Sequence, residues 1–434
     1  MQKFPIHLLT YNCAKTTPLN SDFKENIKKS YGVKDDTEPK NLYVFGFQEL
    51  DSILNSLDYN KINKNLIELA DLIVDSLDEF FNSEYEFQVV EIQHSGSVGL
   101  IIVSPFASKI IRTQKSYVPT GYYFTSIKSS CGIRLQFQCD EGSDEYSPRV
   151  TEFTFVTSHF NANEGQAYMI RRNQDLLNTL LGLEFRDGFS MIKPDTHCFI
   201  MGDFNYRASG GYIEDSVKNA KDPLDIQNLS DNNNPQYINE QVVLKDELIL
   251  LKKKGLIFWN FSEGDIKFMP TYKFKKHTSN YNPKRIPSWC DRILYQSYDK
   301  HSKEVINEYN SIPSLKQSDH IPVYLSIDVP YKPPANIISD GGYLVNPYDD
   351  GFTNNDDDED NNDNEGNDNG GHFHFREDIY LKLNGSNYYN YLRFLGSITD
   401  NIFRIILLSI FTNKGRLSVF SLIALIFLYK YFAS

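Results

Sequence analysis

The chain has 434 residues, 40% hydrophobic and 14% aromatic, enough to fill the core of one large α/β domain and leave a tail. Its five cysteines (Cys13, Cys131, Cys139, Cys198 and Cys290) are odd in number and unpaired in spacing, which excludes a disulfide framework and a zinc knuckle and fits a reducing, cytosolic setting. The net charge of −13 is unevenly placed: Asp349 to Gly371 holds ten acidic residues and no Lys or Arg, while His372 onward has seven basic residues and three acidic. A mildly acidic body, an acidic spacer and a basic tail suggest a catalytic domain held off a membrane anchor. Met1 to Pro5 leads straight into a strand pattern, with no apolar stretch of a secretory signal.

Ile6 to Asn12 reads as a first strand and Leu42 to Glu49 as a second, each apolar and each ending in a polar group. Such strands put Asn12 and Glu49 at one edge of a sheet, where ligand sites of α/β folds collect. Glu49 suits Mg²⁺, which takes one or two carboxylates together with waters and substrate oxygens. Leu66, Leu69, Ala70, Ile73, Val74, Leu77 and Phe81 recur at helical spacing and predict an amphipathic helix over about 61–81. Strands follow at Phe87–Gln93 and Val98–Val103, then at Ile133–Phe137 and Phe153–Thr157, the last delivering Ser158-His159. A helix over about 164–185 places Ile170, Leu176, Leu177, Leu180 and Leu181 on its buried face.

The stretch Met201-Gly202-Asp203-Phe204-Asn205-Tyr206-Arg207 follows a short buried strand, His197 to Ile200. Asp203 there can take a proton or steer a water, Asn205 can fix it, and Arg207 can meet negative charge or brace the site. Asp222 to Asn239, rich in Asn, Asp and Gln, reads as a loop, and Glu247 to Lys254 as a short helix. Lys273, Lys275, Lys276, Lys284 and Arg285 then sit among Tyr272, Phe274 and Tyr281 in a Pro-bounded loop suited to reading phosphate. The last strand, Val323 to Val329, is preceded by Ser318-Asp319-His320. Asn12, Glu49, His159, Asp203, Asn205, Asp319 and His320 therefore all fall at strand ends, and together they fit metal-assisted phosphoester hydrolysis.

Seven motifs in this order resemble the inositol polyphosphate 5-phosphatases of the exonuclease–endonuclease–phosphatase superfamily. They are Thr10-Tyr11-Asn12, Gly46-Phe47-Gln48-Glu49, Ser158-His159-Phe160-Asn161-Ala162, Gly202 to Arg207, Pro270-Thr271-Tyr272-Lys273, Pro287-Ser288-Trp289-Cys290-Asp291-Arg292 and Ser318-Asp319-His320-Ile321-Pro322-Val323. The resemblance implies a four-layer α/β sandwich of two central, mostly antiparallel β-sheets flanked by helices. It also implies a Mg²⁺-dependent in-line attack of water on a 5-phosphate. Glu49, with Asn12 beside it, would hold the metal; Asp203 would orient or activate the water and Asn205 fix the phosphate. His320, oriented by Asp319, and His159 would stabilise charge on the phosphoryl oxygens. Tyr272, Lys273 and Arg285 match contacts to a 4-phosphate, and Asn161 lies in a substrate-binding motif. The family's Asn-Lys-Gly is replaced by Ile127-Lys128-Ser129, so Lys128 could meet the 1-phosphate without the amide and the glycine turn.

Asn354 to Gly371 has almost no side chain that could enter a core and should be disordered and extended. Ile402 to Phe411 is expected in the membrane interface, and Leu417 to Phe432 as a tail anchor. That anchor is about 24 Å long as a helix, short for a bilayer and best matched to the endoplasmic reticulum at ~27 Å. Lys414 and Arg416 ahead of it place the body in the cytosol. The expected division is a catalytic domain over 1–330, an acidic disordered linker and juxtamembrane segment over 331–400, and an interfacial segment with anchor over 401–434. This arrangement resembles tail-anchored, yeast-type 5-phosphatases. It implies hydrolysis of phosphatidylinositol 4,5-bisphosphate by a monomer with no nucleic-acid partner. A nuclease or sphingomyelinase of the same superfamily, and an inactive phosphoinositide-binding tether, are the alternatives.

Overall fold

The structure, a computed structural model, describes residues 3–32, 38–139, 150–208, 224–232, 234–258, 260–298, 303–334, 337–338, 344–345 and 387–411. The acidic spacer and the apolar run from Leu417 lie outside the described residues.

Side-chain alternation builds the layers. In β1 (Lys3–Asn12), Phe4, Ile6 and Leu8 face one core while Leu9 and Tyr11 face another; in β2 (Leu42–Gln48), Leu42 and Val44 oppose Tyr43, Phe45 and Phe47. These strands are central in a sheet ordered β11 (Val305–Ser311), β12 (Val323–Pro330), β1, β2, β4 (Val98–Ser104), β3 (Gln88–Ser95). The second sheet runs β5 (Ile110–Pro119), β6 (Ser129–Gln138), β7 (Val150–His159), β8 (His197–Asp203), β10 (Asp291–Gln296), β9 (Phe261–Glu263). Cys131, Ile133, Phe155, Phe199 and Met201 of this sheet meet Phe4, Ile6 and Val44 of the first in the inter-sheet core.

Helices α1 (Ser21–Ile27) and α3 (Tyr59–Phe80) cover the outer face of the first sheet, with α2 (Ile53–Ser56) leading into α3. Asp58 caps α3 by accepting from the Lys61 amide, and Ile62, Leu66, Leu69, Ile73 and Leu77 then recur on the buried face. Helices α4 (Gln166–Gly182) and α7 (Glu247–Lys253) cover the second sheet. The result is the expected four-layer sandwich; among the described residues only β1–β2 and β7–β8 pair in parallel.

Several expectations need correction. The polar stretch 222–239 is not a loop: α5 (Ile226–Asn232) and α6 (Pro235–Lys245) occupy most of it. The Asn234 side chain accepts from the Gln236 amide, Pro235 opens the helix, and Leu229, Ile238 and Val242 enter the inter-sheet core. Apolar count alone hid these three residues among amides. In α4, Ile170 is 41% exposed, because the inward face carries Arg172 and Asp175 beside Leu176. A helix α8 (Asn387–Phe411) crosses the boundary that the sequence reading placed between residues 400 and 401, and it packs on β5.

Gly202, the next-to-last residue of β8, has φ 147°, and a Cβ there would lie 2.0 Å from the Ser158 carbonyl oxygen on the parallel neighbour β7. Gly202→Ala is therefore expected to destabilise the chain by about 3 kcal/mol in urea denaturation. Gly188, also at positive φ but with open space around it, should lose only about 1 kcal/mol on replacement by Ala. Equal losses would show that the approach of β7 is not the constraint.

Candidate active site

The two parallel pairs, one in each sheet, bring strand ends together. Asn12 is opposite Gln48 at the end of β1–β2, and His159 is opposite Asp203 at the end of β7–β8. Antiparallel neighbours start where these strands stop: Asp291 pairs with Asp203, and His320 stands just ahead of β12, which begins opposite Thr10. Beneath the cleft, the Gln48 amide donates to Thr157 Oγ1 (2.9 Å) and Thr10 Oγ1 (3.1 Å) and pins one sheet to the other.

Asp203 is 1% exposed, so its charge must be matched locally. Asn12 Nδ2 donates to Oδ2 at 2.9 Å, the Asn205 amide donates to Oδ1 at 3.0 Å, and His159 Nε2 and His320 Nε2 lie 3.3 and 3.8 Å from Oδ2. Burial opposes ionisation, but His320 and His159 outweigh it and hold the carboxyl well below the usual carboxylate range. His159 also touches Lys128 Nζ; burial, then the lysine charge, pushes its imidazole down. Burial likewise lowers Lys128 itself, against the pull of Glu49 and Asp203.

His320 goes the other way. Burial alone would depress it, yet Asp291 and Asp203 push its imidazole up to about 9. Nδ1 lies 2.9 and 3.2 Å from the two oxygens of Asp291, whose Oδ2 also accepts from Thr271 Oγ1 at 2.7 Å. This corrects the assignment of Asp319 as the orienting acid: Asp319 Oδ2 instead meets Lys273 Nζ at 2.6 Å. The family resemblance implied Asp319; the antiparallel register of β10 on β8 brings up Asp291 instead, which had no role assigned in the Trp-Cys-Asp-Arg block.

Glu49 and Asn205 adopt left-handed backbone conformations, with φ of 48° and 58°. Strained non-glycine residues persist where surrounding structure fixes them, commonly at functional sites. Glu49 thereby lines the cleft, half-buried; among the described residues no lysine or arginine pairs with it within 4.0 Å, and the His159 imidazole lies 3.9 Å away. A carboxylate facing an open cleft without a lysine or arginine partner is a fitting ligand for a hard divalent cation. Asn12 is more constrained, since its Oδ1 already accepts from the Ala14 amide at 3.0 Å. Asp203, Asp291 and His320 also bring ligand atoms within 4.8 Å of one another. Asp291 holds His320 Nδ1 in a hydrogen bond, whereas the Glu49 carboxylate carries no such side-chain bond among the described residues, so the Glu49 wall fits an ion better.

The cleft encloses about 210 Å³, and Lys15, Lys128, Tyr272, Lys273 and Lys276 line it beside the residues above. Lys276 Nζ is anchored on the Ala14 carbonyl at 2.7 Å, a placement that its position in a charge run did not reveal. Arg285, expected with Tyr272 and Lys273, is exposed and does not line the cleft. Arg207 lies behind it, donating to Asn205 Oδ1 at 2.5 Å with its guanidinium 4.3 Å from the Tyr272 ring centroid. Of its two readings, the brace is the one the geometry carries. Asn161 is likewise tied down, its amide and Nδ2 both donating to Asp175 Oδ2 at 2.8 and 2.7 Å. Glu247 Oε2 takes Arg172 Nη2 at 2.6 Å and the Arg207 amide at 3.0 Å, linking α4 and α7 to the Asp203 strand end.

A folded-state value above the ordinary ~6.5 means that His320 is charged at neutral pH and loses that charge as pH rises through about 9. Its contribution to rate and stability should fade over the same interval. Asp291→Asn is expected to lower kcat by roughly 10²–10⁴-fold and to move the alkaline limb of the pH profile downward. Asp319→Asn should leave that limb in place and act on KM through Lys273. Pre-steady-state and steady-state rates across pH 6–10 check this; a limb that moves with Asp319 instead would reverse the assignment.

Residues 9–326 match the family described as Endonuclease/Exonuclease/phosphatase family 2. Over 312 residues the chain is 28% identical to the phosphatidylinositol 3,4,5-trisphosphate 5-phosphatase 2A of Danio rerio, covering 68% of this chain and 21% of that protein. Over 203 residues it is 32% identical to the phosphatidylinositol polyphosphate 5-phosphatase type IV of Mus musculus, covering 42% and 28% respectively. The chain thus spans less than a third of the length of these curated relatives. Its fold is similar to the inositol polyphosphate 5-phosphatase domain of SPsynaptojanin, solved with inositol (1,4)-bisphosphate and calcium ion. That likeness has a TM-score of 0.58 at 24% identity, over 76% of this chain and 84% of the other. Every strand-end residue of the cleft, from Asn12 to His320, lies inside the family match, and the chain belongs to the endonuclease/exonuclease/phosphatase family 2.

Proposed function

We propose that the chain is a Mg²⁺-dependent phosphoinositide 5-phosphatase that converts phosphatidylinositol 4,5-bisphosphate to phosphatidylinositol 4-phosphate at a cytosol-facing membrane, with the endoplasmic reticulum as its site. The observation that carries the reading is the ionised, buried Asp203 between two histidines, at the floor of a cleft rimmed by Lys15, Lys128, Lys273 and Lys276. The relatives' names point to the same chemistry.

Asp203, fixed by Asn12 and the Asn205 amide, aligns a water and accepts its proton as the oxygen attacks phosphorus. The phosphorus–oxygen ester bond breaks, and phosphatidylinositol 4-phosphate leaves as the alcohol, its 5-oxygen taking up the proton that the water gave to Asp203. The His320 imidazolium, held by Asp291, donates to the phosphoryl oxygens as charge develops there. A donor of this kind is worth roughly 2.7–4 kcal/mol of barrier. Mg²⁺ held at Glu49, with Asn12 nearby, would supply Lewis-acid polarisation of the phosphoryl group. Tyr272, Lys273 and Lys276 offer two cations and a hydroxyl to a neighbouring phosphate, which favours a bisphosphate headgroup over a lone 5-phosphate. Leu417 to Phe432 would tether this body to the lipid surface and raise the local concentration of substrate.

Phosphate release from a panel of phosphoinositides tests the reading. Release from the 4,5-bisphosphate is expected with Mg²⁺, to be abolished by EDTA, and to fall by at least roughly 10²-fold in Asp203→Ala. Cleavage of DNA or sphingomyelin instead, or no release from any lipid, would reject it.

A further inference from the structure

Helix α8 has two faces of opposite character. Arg393 Nε and Nη2 donate to the Tyr117 and Gly182 carbonyls at 2.9 and 2.7 Å, and Asp400 Oδ1 accepts from the Ser126 amide at 2.9 Å. Arg404 pairs with Asp58, the residue that caps α3. Tyr389 and Leu392 are buried on the same side, and a Cβ on Gly396 would lie 2.4 Å from the Phe124 carbonyl oxygen, so the helix backbone rests directly on the body. The opposite stripe is Tyr391, Phe394, Ile398, Ile402 and Ile405, at spacings of three and four, and all are exposed, Ile405 at 67%. A soluble surface rarely shows a continuous apolar stripe of this length.

We infer that α8 is an interfacial membrane helix built rigidly onto the catalytic body, whose outer stripe enters the headgroup–acyl boundary of a lipid bilayer and sets the orientation of the active-site cleft to that surface. The inference rests on the membrane-tether reading above. Tyr388 to Phe411 is long and apolar enough to cross a membrane. Crossing would nevertheless break the contacts of Arg393, Asp400 and Arg404 and place three charges in hydrocarbon, at ~2.5–3.5 kcal/mol each near the centre. Lying flat costs none of this. Five residues separate Phe411 from the apolar run at Leu417, so the end of α8 is within roughly 20 Å of where that run would enter the bilayer.

The docking face also touches the cleft through one loop. Residues 120–128 join β5 to β6; Ser126 and the turn Tyr122–Phe124 lie under α8, while Lys128 at the loop's end meets His159. The amides of Thr120 and Gly121 both donate to the Lys128 carbonyl, at 2.8 and 2.9 Å, which closes the loop on itself. Tyr123, 83% exposed, projects from it. A bilayer touching α8 is therefore one loop away from Lys128 at the cleft.

All five native cysteines are buried, so a single surface cysteine can be labelled in the full chain. Ile402→Cys and Asp75→Cys, the latter about 24 Å along α3 from Tyr59, would carry an environment-sensitive fluorophore. The labelled chains are reconstituted with phosphatidylcholine/phosphatidylserine vesicles containing shallow or deep nitroxide lipids. The expected result is a blue shift and stronger quenching by shallow than by deep lipid at residue 402, and none at residue 75. In Asp400→Ala/Arg404→Ala, vesicle binding should persist while hydrolysis of bilayer-embedded lipid falls about tenfold and hydrolysis of a soluble inositol polyphosphate is unchanged. A water-exposed probe on vesicle-bound chain, deep quenching that marks a spanning helix, or crosslinking of residue 402 between two chains would each overturn the inference. Equal loss of lipid and soluble activity would reject the orienting role. Failure of the chain to float with vesicles would instead reject the tether reading, and this inference with it.

Discussion

The structure depends on one buried charge. Moving a carboxylate out of water costs several kcal/mol, and Asp203 is almost fully enclosed. It stays ionised because two β-sheets each contribute a parallel strand pair, and the open ends of those pairs converge on it. One sheet supplies Asn12 and His320, the other His159 and the amide of Asn205. No single element could do this. The carboxylate therefore reports on the whole sandwich, and the inter-sheet contacts of Gln48 and the brace of Arg207 are part of its support.

The same geometry separates two histidines that look alike in sequence. His159 lies against Lys128, and burial with that cation disfavours its charge; His320 lies against Asp291 and Asp203, which favour its charge. One imidazole is thus kept neutral and the other positive within a single cleft. Pairs of titratable groups driven apart by their surroundings are how one site obtains both a hydrogen-bonding partner and a charged donor near neutral pH. Around them the lysines make the cleft complementary to a polyanion.

Much of this was legible because strand ends are local events. An apolar run that stops at Asn12, Glu49, His159 or Asp203 announces both the strand and the edge where its polar residue emerges, and these residues do converge. Partnership across strands was not legible. Asp319 was assigned to His320 by resemblance, whereas the actual partner, Asp291, arrives through the register of β10 on β8. Arg285 was assigned by resemblance to family contacts, but its side chain is exposed and Lys276 takes the inward place. Polar residues also disguised structure: α6 hides its core residues among amides, and α4 turns Arg172 and Asp175 inward where periodicity of apolar side chains pointed to Ile170. In the tail, apolar content marked 402–411 as interfacial, but the docking of α8 rests on Arg393, Asp400 and Arg404, whose partners are far away in sequence.

The most direct test of the central claim is to titrate the imidazoles of the intact chain by ¹⁵N–¹H correlation, assigning His320 by its loss in His320→Gln. A carboxylate pair around His320 predicts an imidazolium that persists through neutral pH and deprotonates near pH 9. His159 should remain neutral throughout that range. If His320 titrated at the ordinary ~6.5, the charge balance on which Asp203 depends would be contradicted.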